Sequence, residues 1–277
     1  SRGDQNFYST ITGRAAPSSK DYPFVAPKWL RSFIHPEEGK VLAYMDFSHQ
    51  EPCIQAALSK DANLIKATSE DVYLYTANQA GALKGVNDPD RVKAVRKDYK
   101  VTFLAKSYGM GVQSVARKLK KSVVVAREII NSIETLFEGY YKWVKDTVEM
   151  FKIRGQMTTR HGWCRSCKGV QNLNERSLQN WPIQSHGAEI LYWTVINVRK
   201  EGYKIIATVH DAILVEFDIT PNIILDVYKV RLIMERCAKE MVGANIKVDY
   251  EMILYNWKQE DEAAALFDEI MKLVGDF

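Results

Sequence analysis

The chain has 277 residues, of which 46% are hydrophobic and 26% are charged, as is typical of soluble globular proteins. No apolar run approaches the roughly 18 residues of a membrane span, and the first ten residues lack the apolar core of a signal peptide. Four cysteines in a chain this long do not indicate a disulfide framework, so we expect a reducing, cytoplasmic setting. Cys164 and Cys167 have CxxC spacing without a second ligand pair, so we expect ordinary thiols there and no zinc site.

A carboxylate stands at the end of the first predicted strand, which covers residues 41–47. Alternation along a strand places Leu42, Tyr44 and Asp46 on one face. Burying an aspartate on an apolar face is costly unless it is paired or binds a metal. A solvent-exposed strand end would explain Asp46 equally well. Beyond Glu51, the segment "CIQAALSKDANLIKAT" has helical spacing.

Positive charge is concentrated in one short segment of the chain. Residues 91–121 contain ten basic residues and one acidic residue, a net charge of +9, whereas the rest of the chain carries −5. Such clustering is typical of proteins that bind a polyanion, either nucleic acid or the triphosphate of a nucleotide. A solvated helix face is the alternative.

The composition of this segment favours the polyanion. Residues 87–111 predict one long helix that is capped by Asn87 or Asp88 and ended by two glycines. Spacing of four residues puts two cations, an apolar side chain and a phenol on one stripe of this helix, namely Arg96, Lys100, Leu104 and Tyr108. A nucleotide needs both kinds of partner, because its phosphates bind cations and its base and sugar pack on apolar surfaces.

A second isolated carboxylate lies in the segment "IIATVHDAILVEF", residues 205–217, which predicts a tight β-hairpin with His210 and Asp211 at its turn. Aspartate is a common turn residue, so ordinary turn chemistry explains Asp211 on this segment alone. If Asp46 and Asp211 converge across one sheet, however, two carboxylates can bind hard divalent cations such as Mg²⁺. Two such ions about 4 Å apart clamp the attacking and leaving oxygens of a phosphoryl transfer.

Five motifs in order resemble the polymerase domain of family A DNA polymerases, the group of bacterial DNA polymerase I and many phage polymerases. They are "TITGR" (10–14), "DFSHQE" (46–51), "RKDYKVTFLAKSYG" (96–109), "ERSLQNWPIQ" (175–184) and "VHDA" (209–212). The forms "WLRSFIHP", "SYGMG" and "NWPIQSHGAEIL" look most like the phage and plasmid branch.

The resemblance implies a role for each matching residue. Asp46, Asp211 and the carbonyl of Phe47 match the ligands of two Mg²⁺ ions, for which Mn²⁺ can substitute. Arg96 and Lys100 match triphosphate ligands, and Lys100 is the expected proton donor to the leaving pyrophosphate. Leu104 matches the residue beside the incoming base and sugar, and Tyr108 matches the residue at the templating position. Glu51 matches the gate that excludes a 2′-hydroxyl, and His210 matches a residue near the primer terminus. The residues that match contacts to the primer-template duplex or to the active-site network are Arg14, Arg176, Asn180 and Gln184.

Several positions depart from the family pattern. Leu104 stands where the family often has Phe or Tyr, which leads us to expect altered discrimination against dideoxynucleotides. Ala212 replaces an accessory glutamate, and Tyr73 stands where many relatives have His. Pro52 and Cys53 replace a Leu-Arg pair.

The resemblance also implies the organisation of the chain. We expect an α+β fold in which a right-hand polymerase palm, an antiparallel sheet with helices such as 176–200 and 221–241, is formed by residues 1–60 and 171–277. Mostly helical fingers, residues 61–170, are expected to be inserted into it. The thumb and exonuclease domains of typical relatives lie upstream of "TITGR", so we expect a fragment without a thumb. Residues 258–277 form a C-terminal extension with helical spacing, either packed on the palm or docking a partner.

The expected function is therefore template-directed addition of deoxynucleotides to a primer 3′ end, in DNA replication or repair, in a bacterial or phage-infected cell. Its expected partners are primer-template DNA, dNTPs, the upstream part of a larger polypeptide and an accessory protein, and no membrane. Two alternatives stay open: an inactive relative that only binds primer-template or a partner, and a ribonucleotide-using relative. The intact Asp46 and Asp211 argue against the first, and Glu51 argues against the second.

Overall fold

The computed structural model describes residues 5–6, 8–17, 22–25, 27–168, 174–255, 257, 265, 268–269 and 272. The described residues fall into two compact units. The first unit comprises Ser1–Ser48, Gly187–Met241 and Asn245–Phe277, and the second comprises His49–His186 and Val242–Ala244, as far as these segments are described. The apolar residues that predict the C-terminal helix, Ala264, Phe267, Ile270, Met271 and Val274, lie outside the described residues.

The described elements are ten helices, eight strands and two 3₁₀ helices. In chain order the strands are β1 (Gln5–Asn6), β2 (Ala16–Pro17), β3 (Lys40–Phe47), β4 (Gln156–Thr158), β5 (Cys164–Ser166), β6 (Lys204–Val209), β7 (Ala212–Asp218) and β8 (Val248–Ile253). The helices are α1 (Gln50–Ser59), α2 (Ala62–Thr68), α3 (Val72–Gln79), α4 (Pro89–Ser107), α5 (Val112–Leu119), α6 (Val123–Leu136), α7 (Glu138–Arg154), α8 (Glu175–Gln179), α9 (Trp181–Lys200) and α10 (Ile223–Val242), and the 3₁₀ helices are Pro23–Val25 and Lys28–Phe33.

The first unit is built on a four-stranded antiparallel sheet in the order β6-β7-β3-β8. The central strand β3 is apolar on both faces, as expected of a strand that pairs on both sides. One face carries Val41, Ala43, Met45 and Phe47, all of which are buried. The other face contributes to a cluster of Leu42, Leu214, Ile253 and Trp257, against which Tyr44 packs.

The second unit is mostly helical. The buried side chains of α1, α2, α3, α4, α6 and α7 form its largest described cluster, which includes Leu64, Tyr73, Phe103, Phe137 and Tyr140. A short antiparallel hairpin, β4-β5, also belongs to this unit. No described helix of either unit is long and apolar enough to span a bilayer.

The predicted strand over 41–47, the hairpin over 205–217 and the long helix over 87–111 are confirmed. Asp88 accepts a hydrogen bond from the backbone of Asp90 and so caps α4. The helical spacing over 53–68 belongs to two helices, because Lys60 takes a left-handed conformation at the end of α1. Asp61 then caps α2 by accepting a hydrogen bond from Leu64 N. The predicted 176–200 helix is likewise divided, with α8 and α9 meeting at Asn180.

Gly109 brings the end of α4 against α8. Its φ of +70° lies in the left-handed region that favours glycine. A Cβ at this position would lie 2.9 Å from Gln179 Oε1 and 3.0 Å from Arg176 Cγ. Both the backbone conformation and the close approach therefore require a residue without a side chain.

We predict that Gly109→Ala destabilises the chain by about 2 kcal/mol, through left-handed strain and the displacement of Arg176 and Gln179. Gly111→Ala is the matched control, because Gly111 has a φ of −77° and an added methyl group there would meet no described atom within 4 Å. Chemical denaturation of both variants measures the difference. Equal stability of the two variants would contradict a steric role for Gly109.

Candidate active site

The tight turn between β6 and β7 presents Asp211 at one end of the sheet. Val209 pairs with Ala212, so His210 and Asp211 form a two-residue loop. His210 has a φ of +57°, a conformation that is costly for a residue other than glycine and is often found at functional sites. The hairpin predicted from the sequence thus places Asp211 directly before the first residue of β7.

Asp46 lies at the same end of the sheet as Asp211. In the antiparallel pairing of β3 with β7, Asp46 stands opposite Ala212, the residue that follows Asp211. Burial raises the pKa of the Tyr44 phenol, and the negative charges of Asp46 and Asp211 raise it further. Both carboxylates are therefore close enough to act on the same phenol.

A third carboxylate, which the sequence did not single out, faces Asp46 from the other side. Asp249 on β8 pairs directly with Asp46 in the register of β3 with β8. Ser48 Oγ donates a hydrogen bond to Asp249 Oδ2. Like charges in directly opposed positions destabilise a sheet unless a hydrogen bond or a cation offsets them. The sequence carries no signal for this pair, because its register joins strands that lie far apart in the chain.

The carboxylate oxygens of Asp46 and Asp211 suit a hard cation that the phosphates of a substrate also bind. Mg²⁺ is commonly held by one or two carboxylates together with substrate phosphates. Asp46 and Asp211 fit that pattern, and the repulsion between Asp46 and Asp249 would be relieved by a bound cation. Among the described residues, no group of three or more His, Cys, Asp or Glu side chains is arranged to hold a metal.

The "TITGR" segment forms a turn in the first unit. Gly13 N donates to Thr10 O, and Thr10 Oγ1 donates to the carbonyl of Arg14. The Tyr192 hydroxyl of α9 donates to Gly13 O at 2.8 Å, which fastens the turn to that helix. The turn therefore holds the backbone of Arg14 in a defined position.

In the second unit, the predicted stripe of α4 lies outside the core. Arg96 and Leu104 are half-buried and Lys100 and Tyr108 are exposed, whereas Tyr99 and Phe103 of the same helix are buried. The helix therefore packs one face and leaves the stripe available to a ligand.

Arg96 is held by a carboxylate that the sequence analysis did not identify. Arg96 Nη2 and Nε both lie 2.7 Å from Asp71 Oδ2. Asp71 Oδ1 accepts hydrogen bonds from Tyr73 N and Leu74 N and so caps α3. Partial burial alone would raise the pKa of Asp71, but the hydrogen bonds from Arg96 and Leu74 N hold it below the ordinary value. The signal that could have revealed Asp71 is its position as an N-cap residue.

Glu51, Tyr108 and Gln184 form a connected network. The Tyr108 hydroxyl donates to Glu51 Oε1 at 2.9 Å and accepts a hydrogen bond from Gln184 Nε2 at 2.5 Å. Three predicted site residues from α1, the end of α4 and α9 are thus brought together. Arg176 belongs to α8, whose close approach at Gly109 sets it beside the end of α4.

Asn180, the third predicted site residue of the "ERSLQNWPIQ" motif, is only 4% exposed. Within the described residues, its amide nitrogen and oxygen find no hydrogen-bond partner. Burying an amide without partners is costly, so the side chain of Asn180 is an exception among the buried polar groups of the second unit.

We predict that the Asp71–Arg96 pair makes stability depend on pH. Asp71→Asn keeps an oxygen to cap α3 but removes the charge opposite Arg96. Because the folded pKa is lowered, the stabilisation is present above the ordinary aspartate value of about 3.9 and is lost as the pH falls through the lower folded value. The stability difference between wild type and Asp71→Asn, from denaturation, should be constant between about pH 7 and 5 and shrink below about pH 4.

Asp90→Asn is the control, because Asp90 pairs with Lys93 at 3.8 Å in a fully solvated position. Its stability difference from wild type should stay small throughout. A difference for Asp71→Asn that persists unchanged down to about pH 3 would contradict the assigned ion pair.

Comparison with known proteins supports the family resemblance. The sequence model of DNA polymerase family A matches residues 9–259. The chain is 29% identical over 225 residues to DNA polymerase I of Caldicellulosiruptor bescii, covering 75% of this chain and 26% of that protein. It is 27% identical over 231 residues to the thermostable DNA polymerase I of Thermus aquaticus, covering 76% of this chain and 27% of that protein. The chain thus spans about a quarter of the length of these curated relatives.

A solved structure confirms the α+β fold. The POL domain of Pol1 from M. smegmatis, in complex with DNA primer-template and dNTP, superposes with a TM-score of 0.78 at 23% identity, covering 91% of this chain and 47% of that one. Assignment to the phage and plasmid branch, and the palm and fingers boundaries, stay predictions. Because the family model covers all five motifs and the sheet that carries the two aspartates, the chain belongs to DNA polymerase family A.

Proposed function

We propose that this chain is the nucleotidyltransferase part of a template-directed DNA polymerase, which extends a primer 3′ end with deoxynucleotides in replication or repair. The observation that carries the proposal is the convergence of Asp46 and Asp211 at one end of an antiparallel sheet, in a chain of this family. Its ligands would be primer-template DNA and dNTPs, the ligands named for the M. smegmatis complex.

The metal ligands would come from the first unit. Asp46, Asp211 and the Phe47 carbonyl would hold two Mg²⁺ ions, which when bound clamp the attacking and leaving oxygens of an in-line transfer. Oxygen donors alone suit this hard cation, and Mn²⁺ would be accepted by the same donors.

The triphosphate would be bound by the stripe of α4. Arg96 offers a planar guanidinium whose fork matches phosphate oxygens, and Lys100 offers a compact ammonium. Lys100 makes no ion pair with any residue that the structure describes, so its Nζ is available to donate a proton to the leaving pyrophosphate. Leu104, one turn further along the helix, would pack on the base and sugar.

The contacts to the sugar and to the template would be made by Glu51 and by Tyr108 at the C-terminal end of α4. Glu51 accepts a hydrogen bond from Tyr108, which fixes the carboxylate that would fill the space beside C2′. Tyr108 is exposed and would lie at the templating position. Arg14, Arg176, Asn180, Gln184 and His210 would contact the duplex or the primer terminus without reading its sequence.

We expect Asp211→Ala to reduce Mg²⁺-dependent primer extension by about a thousandfold, because metal-bound charge stabilisation is worth several kcal/mol and each 1.4 kcal/mol is a factor of ten. Single-nucleotide extension of a templated hairpin measures the rate. Asp218→Ala is the control, since Asp218 ends the same strand β7 but pairs with Lys40 at its other end. Undiminished extension by Asp211→Ala would refute the proposed metal ligand.

Glu51 is expected to set the preference for deoxynucleotides. Glu51→Ala should raise the ratio of ribonucleotide to deoxynucleotide incorporation by about tenfold or more, since it opens the space that a 2′-hydroxyl would need. Glu51→Gln keeps the volume and an acceptor for Tyr108 and should retain the wild-type ratio. An unchanged ratio in Glu51→Ala would contradict the gate role of Glu51, and a wild type that prefers rNTPs would favour a ribonucleotide-using enzyme instead.

A further inference from the structure

One aromatic ring lies against both cations of the α4 stripe. Arg96 Cζ is 5.5 Å from the centroid of the Tyr73 ring, and Lys100 Nζ is 5.8 Å from the same centroid. Both distances are within the range in which a cation is attracted by the negative face of a ring. Tyr73 is thus a partner common to the two residues that are assigned to the triphosphate.

The ring itself is held firmly. Tyr73 is 2% exposed and belongs to the main core cluster of the second unit. It makes edge contacts with Phe103 and His49, at centroid distances of 6.0 Å and 5.2 Å. Its backbone N–H donates to Asp71 Oδ1, the carboxylate whose other oxygen binds Arg96. The ring and the carboxylate that restrain Arg96 therefore both belong to the start of one helix.

The chemistry of a tyrosine suits this place between two cations. Long cationic side chains are flexible, and fixing them costs rotamer entropy when a ligand binds. A neutral ring attracts both cations and, unlike the Asp71 carboxylate that pairs with Arg96, adds no negative charge that a phosphate would have to displace. Burial raises the pKa of the Tyr73 phenol, and the charges of Asp71 and Glu51 raise it further, so the ring stays neutral at physiological pH. A histidine at this position could add a third positive charge.

We propose that Tyr73 is a positioning residue for the nucleotide triphosphate: its ring arranges the Arg96 guanidinium and the Lys100 ammonium before the nucleotide arrives. The buried ring acts through these two cations and does not itself touch the phosphates. This inference rests on the proposed function, because that function assigns Arg96 and Lys100 to the triphosphate. It adds a determinant of nucleotide affinity that lies on α3, outside the family motif that supplies the cations.

The test compares Tyr73→Leu, which removes the ring, with Tyr73→Phe, which keeps it. Steady-state single-nucleotide extension gives KM and kcat for a dNTP, and fluorescence anisotropy gives the Kd for primer-template. We expect Tyr73→Leu to raise the KM for dNTP by about tenfold, with smaller changes in kcat and in the Kd for DNA. Tyr73→Phe should stay within about twofold of wild type, because its ring face is retained.

A merely structural role would give a different result. General loosening of the core would lower kcat and weaken DNA binding together, in proportion to the loss of thermal stability. Unchanged KM in Tyr73→Leu, tighter nucleotide binding, or an equal defect in Tyr73→Phe would each overturn the inference. If Tyr73→Leu does not fold, phenylalanines with increasing ring fluorination at position 73 keep the shape and weaken the π face. KM should then rise with each fluorine, and a constant KM would overturn the inference.

The same data separate this inference from the proposed function. A wild-type chain whose primer extension shows no saturable dependence on dNTP would refute the function and the inference with it. A wild type that saturates with dNTP, beside a Tyr73→Leu variant with the same KM, would refute only the role of Tyr73.

Discussion

The register of β3 between its two neighbours is the constraint on which the carboxylate site depends. Side chains alternate along a strand, so a slip of one residue would turn Asp46 to the face that carries Ala43, Met45 and Phe47. Pairing with β7 on one side and β8 on the other prevents that slip. The same pairing sets Asp46 opposite Ala212 and so beside Asp211. The strand pairing that buries the apolar side chains of the sheet thus also fixes the positions of the Asp46 and Asp211 carboxylates. Placing two negative charges so close together would be unfavourable without that pairing.

In the second unit, the packing of α4 fixes the positions of two cations in a similar way. Phe103 and Tyr99 bury one face of α4, and this leaves Arg96 and Lys100 on the open face. Arg96 is then restrained by Asp71 and by the ring of Tyr73, whereas Lys100 is restrained by the ring. The difference matters chemically, because a triphosphate must compete with the Asp71 carboxylate for Arg96, and no described carboxylate pairs with Lys100.

Three positions that are predicted to depart from the family pattern lie in different local environments. Ala212 is fully buried in the sheet, and across β3 from it the other neighbouring strand carries the Asp249 carboxylate. Leu104 lies half-buried on the stripe, with apolar area but without an aromatic face. Tyr73, which the sequence analysis predicts to stand where relatives have His, places a neutral ring beside two cations.

The sequence alone determined the elements and most of the candidate residues. Alternation over 41–47, the four-residue spacing from Arg96 to Tyr108 and the short hairpin around Asp211 are local patterns, and each is present in the structure. Local patterns failed where a single residue ends one helix and the next begins, as at Lys60 and Asp61, since continuous spacing does not reveal a left-handed turn.

Only the tertiary structure decided which side chains meet. Asp46 with Asp249, Arg96 with Asp71, and Tyr73 with both Arg96 and Lys100 are pairs between separate elements. The period of a helix or strand assigns each residue to a face, but the partner across that face depends on strand register and helix packing. Those are set by burial of the whole core, to which residues distant in the chain contribute together.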